Sequence, residues 1–152
     1  MNMKKIVFLL LAAIITIGFS SCSKDEEKEG RFLFLLKDQN GKGLEGYINI
    51  YPKGEYDPKT YSPESITIKT TNGESVFVSY AVKTEQFKAV ELECEEGDYY
   101  AVAYYIKSEK SSYGGLPTLI NVWKGEPISI KGGEEKKLTF TLDLSKKNGC
   151  QN

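Results

Sequence analysis

The stretch Leu138-Thr139-Phe140-Thr141-Leu142-Asp143-Leu144 decides the fold. Leu138, Phe140, Leu142 and Leu144 fall on one side of an extended chain, and Thr139, Thr141 and Asp143 on the other. That period of two belongs to a half-buried strand. Shorter runs of the same kind recur over residues 32–37, 47–51, 65–70, 75–80, 88–94 and 99–107, with a weaker one within 119–130. Turn chemistry separates them at Asn40-Gly41, Asn72-Gly73, Gly97-Asp98 and Gly132-Gly133. No window carries a convincing amphipathic helix. The chain therefore reads as all-β: an antiparallel β-sandwich of seven to eight strands over residues 31–145.

One of these runs reads as central. Tyr99, Ala101, Ala103 and Tyr105 share one face, and Tyr100, Val102, Tyr104 and Ile106 the other, so both faces are apolar. The preceding Gly97-Asp98 permits a sharp corner. Tyr99 can then hydrogen-bond back to the loop before it, as in a tyrosine corner.

The flanks of the domain have a different composition. Met1-Asn2-Met3-Lys4-Lys5 is a short basic start, residues 6–17 are almost unbroken apolar, and Gly18-Phe19-Ser20-Ser21-Cys22 closes with small residues. That order defines a secretory signal peptide over residues 1–21. The apolar run is shorter than the ~20 residues a spanning helix needs. Cleavage before Cys22 would leave its thiol as the first mature residue, the layout of a bacterial lipoprotein anchored by several acyl chains. Residues 22–30 are a charged tether with too little apolar surface to fold. Residues 146–152 are a polar tail.

Two resemblances follow from these motifs. Cys22-Ser23-Lys24-Asp25-Glu26-Glu27-Lys28-Glu29 resembles the surface-export signal of Bacteroidota lipoproteins, with Lys24, Asp25 and Glu26 as its functional residues. This implies an outer-membrane protein, lipid-anchored through Cys22 and exposed at the cell surface. A periplasm-facing orientation stays open. The turn at residues 38–46 running into the strand 47–51, the second hairpin at 70–77, and Glu96-Gly97-Asp98-Tyr99 stand in the order seen in carboxypeptidase-regulatory-like, or transthyretin-like, domains. The chain resembles that family over most of residues 31–144, which implies a Greek-key sandwich. An immunoglobulin-like sandwich is the alternative, although the chain lacks its paired-cysteine and central-tryptophan spacing.

The composition narrows the chemistry. There is no histidine, which removes Ser–His–Asp and Cys–His catalysis and every histidine-based metal site. The 20 basic residues are balanced by 21 acidic ones with no basic stripe, so nucleic acid is not an expected partner. The transthyretin-fold hydrolases rely on His and Arg residues and a C-terminal tetrapeptide. Arg31 is the sole arginine here and the tetrapeptide is missing, so that activity does not carry over. Glu95-Glu96-Asp98 and Glu134-Glu135 are the densest carboxylates, but both fall in expected turns where acidic residues are ordinarily solvated. Asp38 and Asn40 match part of a calcium loop without its later ligands, and read as a hairpin turn. The expectation is a non-enzymatic protein with no cofactor and no metal.

Cys94 and Cys150 remain once Cys22 is acylated. A disulfide between them would stabilise the fold by about 4 kcal/mol in the chain-entropy picture. A buried free Cys94 is the equal alternative.

Aromatic residues carry the functional expectation. Of ten tyrosines, Tyr47, Tyr51, Tyr56, Tyr61 and Tyr113, together with Trp123, fall at outward strand positions or in long loops. Residues 52–63 and 108–118 read as loops at the ends of the sandwich, where such folds place function. Tyr56, Tyr61, Tyr113 and Trp123 are the candidate ligand-binding residues, suited to stacking on sugar rings or to a surface protein. Sheet-face packing is the competing reading of the same residues. The expected role is an accessory binding or adhesion module for a polysaccharide or a protein. A fimbrial or pilus-associated subunit is the rival. Bacteroidota fimbrillins also resemble this layout, but Arg31 stands before the first expected strand, so a cut there would open no groove.

Overall fold

The computed structural model describes residues 28–110 and 114–152. The leader at 1–21, Cys22 and the export residues Lys24, Asp25 and Glu26 lie outside the described residues, as does Tyr113. The described chain is all-β. In order, its strands are β1 (Glu29–Asp38), β2 (Tyr47–Pro52), β3 (Tyr56–Ser62), β4 (Thr67–Thr70), β5 (Ser75–Phe77), β6 (Tyr80–Lys83), β7 (Val90–Glu95), β8 (Gly97–Glu109), β9 (Thr118–Ile130), β10 (Glu135–Leu142) and β11 (Asn148–Cys150).

They form three sheets. One has the order β10-β1-β7, a second β11-β9-β8-β2-β6, and a third, smaller one β3-β4-β5. Alternation in β1 and β10 sends Phe32, Phe34, Leu36, Phe140 and Leu142 inward. They meet Ile48, Ile50, Ala101, Ala103, Ile120, Val122 and Ile128 from the five-stranded sheet. The small Ala101 and Ala103 leave room for the phenylalanine rings, of which Phe32 and Phe34 stack with centroids 5.3 Å apart. Truncating a fully buried ring such as Phe34 to alanine costs about 3–5 kcal/mol.

Eleven strands replace the seven or eight read from the sequence, and each addition has a local cause. The expected loop at 52–63 contains β3. Its Asp57-Pro58 breaks the apolar alternation, and the register slips between Asp57 and Ser62. Proline is tolerated there because β3 is an edge strand of its sheet. The run at 75–80 is split into β5 and β6, which belong to different sheets. The polar tail at 146–152 supplies β11, which pairs with β9, while buried Gln151 accepts from the Asp143 amide at 2.7 Å and donates to the Asp143 carbonyl at 2.6 Å.

The sandwich is also not wholly antiparallel, since β1 pairs with β10, and β11 with β9, in parallel. The first strand begins at Glu29, so Arg31 lies inside β1 rather than before it. There Arg31 donates to Glu93 at 3.0 Å and lies 3.9 Å from Glu91 and 3.7 Å from Glu135.

Cys94 and Cys150 are both free. Cys94 pairs across from Gly30 in β1 and belongs to the main core. Cys150 pairs in register with Trp123, on the opposite face of the five-stranded sheet. A bridge would have to pass through that sheet. The tyrosine corner is present: Tyr99 donates its hydroxyl to the Glu95 carbonyl at 2.8 Å, and Gly97 takes φ 159° at the corner.

Candidate functional site

The five-stranded sheet is buried on both faces near its centre. Ala101, Ala103 and Tyr105 of β8 face the main core, while Tyr100, Val102 and Tyr104 face outward. The small sheet β3-β4-β5 lies over that outward face and makes a second core of Tyr51, Tyr61, Ile68, Tyr100, Val102 and Tyr104, with Tyr56, Val76, Val78 and Trp123 packed against it.

This core is where most of the expected ligand-binding aromatics go. Tyr61 is only 4% exposed, and its hydroxyl accepts from Asn49 Nδ2 at 2.7 Å. Its ring meets Tyr104 edge-on at 5.8 Å and tilts against Trp123 at the same distance. Tyr56 packs on Tyr100 at 5.1 Å and donates to the Pro52 carbonyl at 2.8 Å. Trp123 donates its indole N–H to the Pro58 carbonyl at 2.7 Å. Tyr61 is therefore a packing residue, and the polar atoms of Tyr56 and Trp123 are spent on holding the small sheet. Burial pushes the Tyr51 and Tyr61 phenols far above their ordinary range, and raises Tyr56 and Tyr104 in the same direction. Burial, followed by the nearby Cys150, Asp57 and Glu126, pushes Tyr100 up to about 12. At neutral pH these hydroxyls stay protonated.

The small sheet does not reach the end of the face. At that end Tyr47 pairs in register with both Lys83 of β6 and Tyr104 of β8, and Tyr104 with Trp123 of β9. Four side chains from adjacent strands thus stand in one row. The Tyr47 ring stacks on Tyr104 with centroids 6.4 Å apart and planes 25° from parallel, and remains 41% exposed. One step further out, Ile106 pairs with Asn121 and Ser108 with Leu119. Ile106 is 44% and Leu119 46% exposed, extending the apolar surface beyond Tyr47. Asn121 Oδ1, between them, is buried and has no hydrogen-bond partner among the described residues. A buried acceptor left without a donor is uncommon in folded proteins. Asn148 of β11 sits beside Asn121 in register.

The acidic clusters have other tasks. Glu96 Oε2 accepts from the Gly132 amide at 3.1 Å and Glu134 Oε2 from the Lys131 amide at 2.9 Å. Asp98 binds Lys53 at 2.8 Å. Asp38 Oδ1 accepts from the amides of Asn40 and Lys42 at 2.9 and 2.8 Å, which makes it the cap of a hairpin turn. No group of three potential metal ligands occurs among the described residues.

Of the expected site residues, the structure brings Tyr61 and Trp123 together, but inside the second core or at its margin. The exposed Tyr47 marks the uncovered surface. Its signal was present in the sequence as an outward tyrosine opening a strand, and only the extent of the small sheet distinguishes it from Tyr51.

No protein-family model matches the chain, and no curated protein is significantly similar to it. Among solved structures, a candidate carbohydrate-binding protein from Pseudomonas aeruginosa aligns over 84% of this chain and 96% of its own, at 12% identity and a TM-score of 0.36. A likeness that distant carries neither fold detail nor function to this chain.

Proposed function

We propose that the protein is a non-enzymatic binding module that holds a polysaccharide on the uncovered half of the five-stranded sheet. The observation that carries this is Tyr47, stacked against Tyr104 of the neighbouring strand and still 41% exposed. An aromatic ring fixed by a second ring offers a rigid apolar plane at little entropic cost, and the CH face of a pyranose fits such a plane. Ile106 and Leu119 widen the plane, while Lys83 and Asn148 bring hydrogen-bonding groups to its rim.

In this reading residues 1–21 are a lipoprotein signal peptide, Cys22 is acylated, and Lys24, Asp25 and Glu26 direct the protein to the outer face of the outer membrane. The domain is a transthyretin-like sandwich on the short tether. β1 carries the chain about 30 Å from Glu29 to Asp38, at ~3.3 Å per residue. Since β2 starts at the far end of β1, Tyr47 is presented away from the anchor.

The test is a glycan array probed with the full-length protein and with Tyr47→Ala. Saturable retention that falls about tenfold in the variant, with an unchanged melting temperature, supports the proposal. Retention equal in both proteins removes Tyr47 from the site. A blank array with concentration-dependent multimers favours a structural subunit instead.

A further inference from the structure

We propose that the outer face of the three-stranded sheet carries a second site, for an anionic polysaccharide, built around Phe87. The ring is 95% exposed, the most exposed of the large hydrophobic side chains described. It lines a groove of about 510 Å³ together with Leu35, Lys37, Lys42, Lys88 and Lys137. Leu35 and Lys37 lie on the outward side of β1, Lys137 on the outward side of β10, and Lys42 in the turn after β1.

Near Glu29, Arg31 gathers the carboxylates of Glu91, Glu93 and Glu135. Towards Asp38 the groove is lined by Lys37, Lys42 and Lys88, and Lys137 joins them from its place in register with Leu33, midway along β1. Lys88 pairs with Glu85 at 3.3 Å, whereas Lys37, Lys42 and Lys137 form no ion pair among the described residues. Lysines that line one groove without counter-ions repel one another, and a polyanion laid along the groove offsets that repulsion.

The backbone leading into Phe87 is held in place. Buried Thr84 accepts from the Gly46 amide and donates to the Leu44 carbonyl, each at 2.8 Å, which clips the segment after β6 to the turn after β1. Gly43 packs so tightly on Gln86 that a Cβ there would run into the Gln86 carbonyl. Phe87 follows directly on this clamped contact. A groove with an aromatic wall and lysines around it takes a linear chain of charged rings: the apolar ring face meets Phe87 and Leu35, and the carboxylate or sulfate groups meet the ammoniums. It lies on the other sheet from Tyr47 and does not depend on that platform.

The experiment measures retention of the full-length protein on polygalacturonate, dextran sulfate and neutral dextran across a salt series. Phe87→Ala, the double variant Lys37→Gln/Lys137→Gln, and Tyr47→Ala are run beside it. The expected result is retention on at least one polyanion and not on dextran, weakening steeply with salt. It drops about tenfold in the Phe87 and lysine variants and is unchanged in Tyr47→Ala. Since all three altered positions around Phe87 lie at the surface, unchanged thermal melting confirms folding. Retention on neither polyanion, or equal retention by wild type and both groove variants, overturns the proposal. So does groove-dependent adsorption to phosphatidylglycerol vesicles without retention on either polymer.

Discussion

The Trp123 indole N–H donates to the Pro58 carbonyl at 2.7 Å and ties β9 of the main sandwich to β3 of the small sheet, 65 residues away in sequence. This bond, with Tyr61 wedged between Trp123 and Tyr104, fixes how far the small sheet covers the outward face. Trp123→Phe keeps most of the ring and deletes the donor. It should lower stability by about 1 kcal/mol. Hydrogen exchange should accelerate in β3–β5 while β8 and β9 stay protected. Uniform acceleration across all strands would show that the small sheet is not a separable cover.

Thr84 is 1% exposed and serves two backbone groups at once. Thr84→Val keeps the shape and leaves the Gly46 amide and Leu44 carbonyl without their side-chain partner. A loss of about 1–3 kcal/mol in urea unfolding is expected. A midpoint unchanged from wild type would mean the clip does not form.

The thiols give a simple check. With Cys94 in the main core and Cys150 beyond it on the far face of the five-stranded sheet, dithiothreitol should leave the melting temperature unchanged. Burial raises both thiol pKa values, so alkylation at neutral pH should be slow until the protein is denatured. A destabilisation of several kcal/mol on reduction would contradict the pairing of β11 with β9.

Alkaline pH acts through the phenols. Burial is the main cause that pushes Tyr99 and Tyr100 each up to about 12, and moves Tyr51 and Tyr61 further the same way. The unfolded chain ionises its tyrosines near 10. The tyrosine contribution to stability should therefore be level well below pH ~10 and fall as the pH rises through it towards 12, because the unfolded state releases protons the native state retains. Phenolate absorbance should show a late group of tyrosines that ionises together with loss of near-ultraviolet dichroism. Titration of all ten near pH 10 with the fold intact would contradict the second core.

The main sandwich was readable because its strands obey simple rules. Leu138 to Leu142 alternates cleanly, and the two apolar faces of residues 99–106 reappear as two cores on either side of β8. The tyrosine corner at Tyr99 follows from the glycine before it. What escaped is the cover. In β3, Asp57 and Pro58 suppress the period of two, so Tyr56 and Tyr61 look like loop aromatics awaiting a ligand when their partners are Tyr100, Tyr104 and Trp123. β11 escaped because Asn148-Gly149 has turn composition, with Gly149 at φ 102°, and its pairing depends on a neighbour 27 residues upstream. Local pattern cannot report which outward residues a distant short sheet will hide. Tyr47 and Tyr51 look alike in the sequence, and only packing makes one exposed and the other buried.

The measurement that tests the account most directly is a hydrogen-exchange footprint of the full-length protein with a polysaccharide retained on the array. Protection confined to the start of β2, the last residues of β8 beyond Tyr104 and the first residues of β9 up to Trp123 is the predicted result. Protection over β3–β5, or over the turn at residues 131–134, with none around Tyr47, would contradict it.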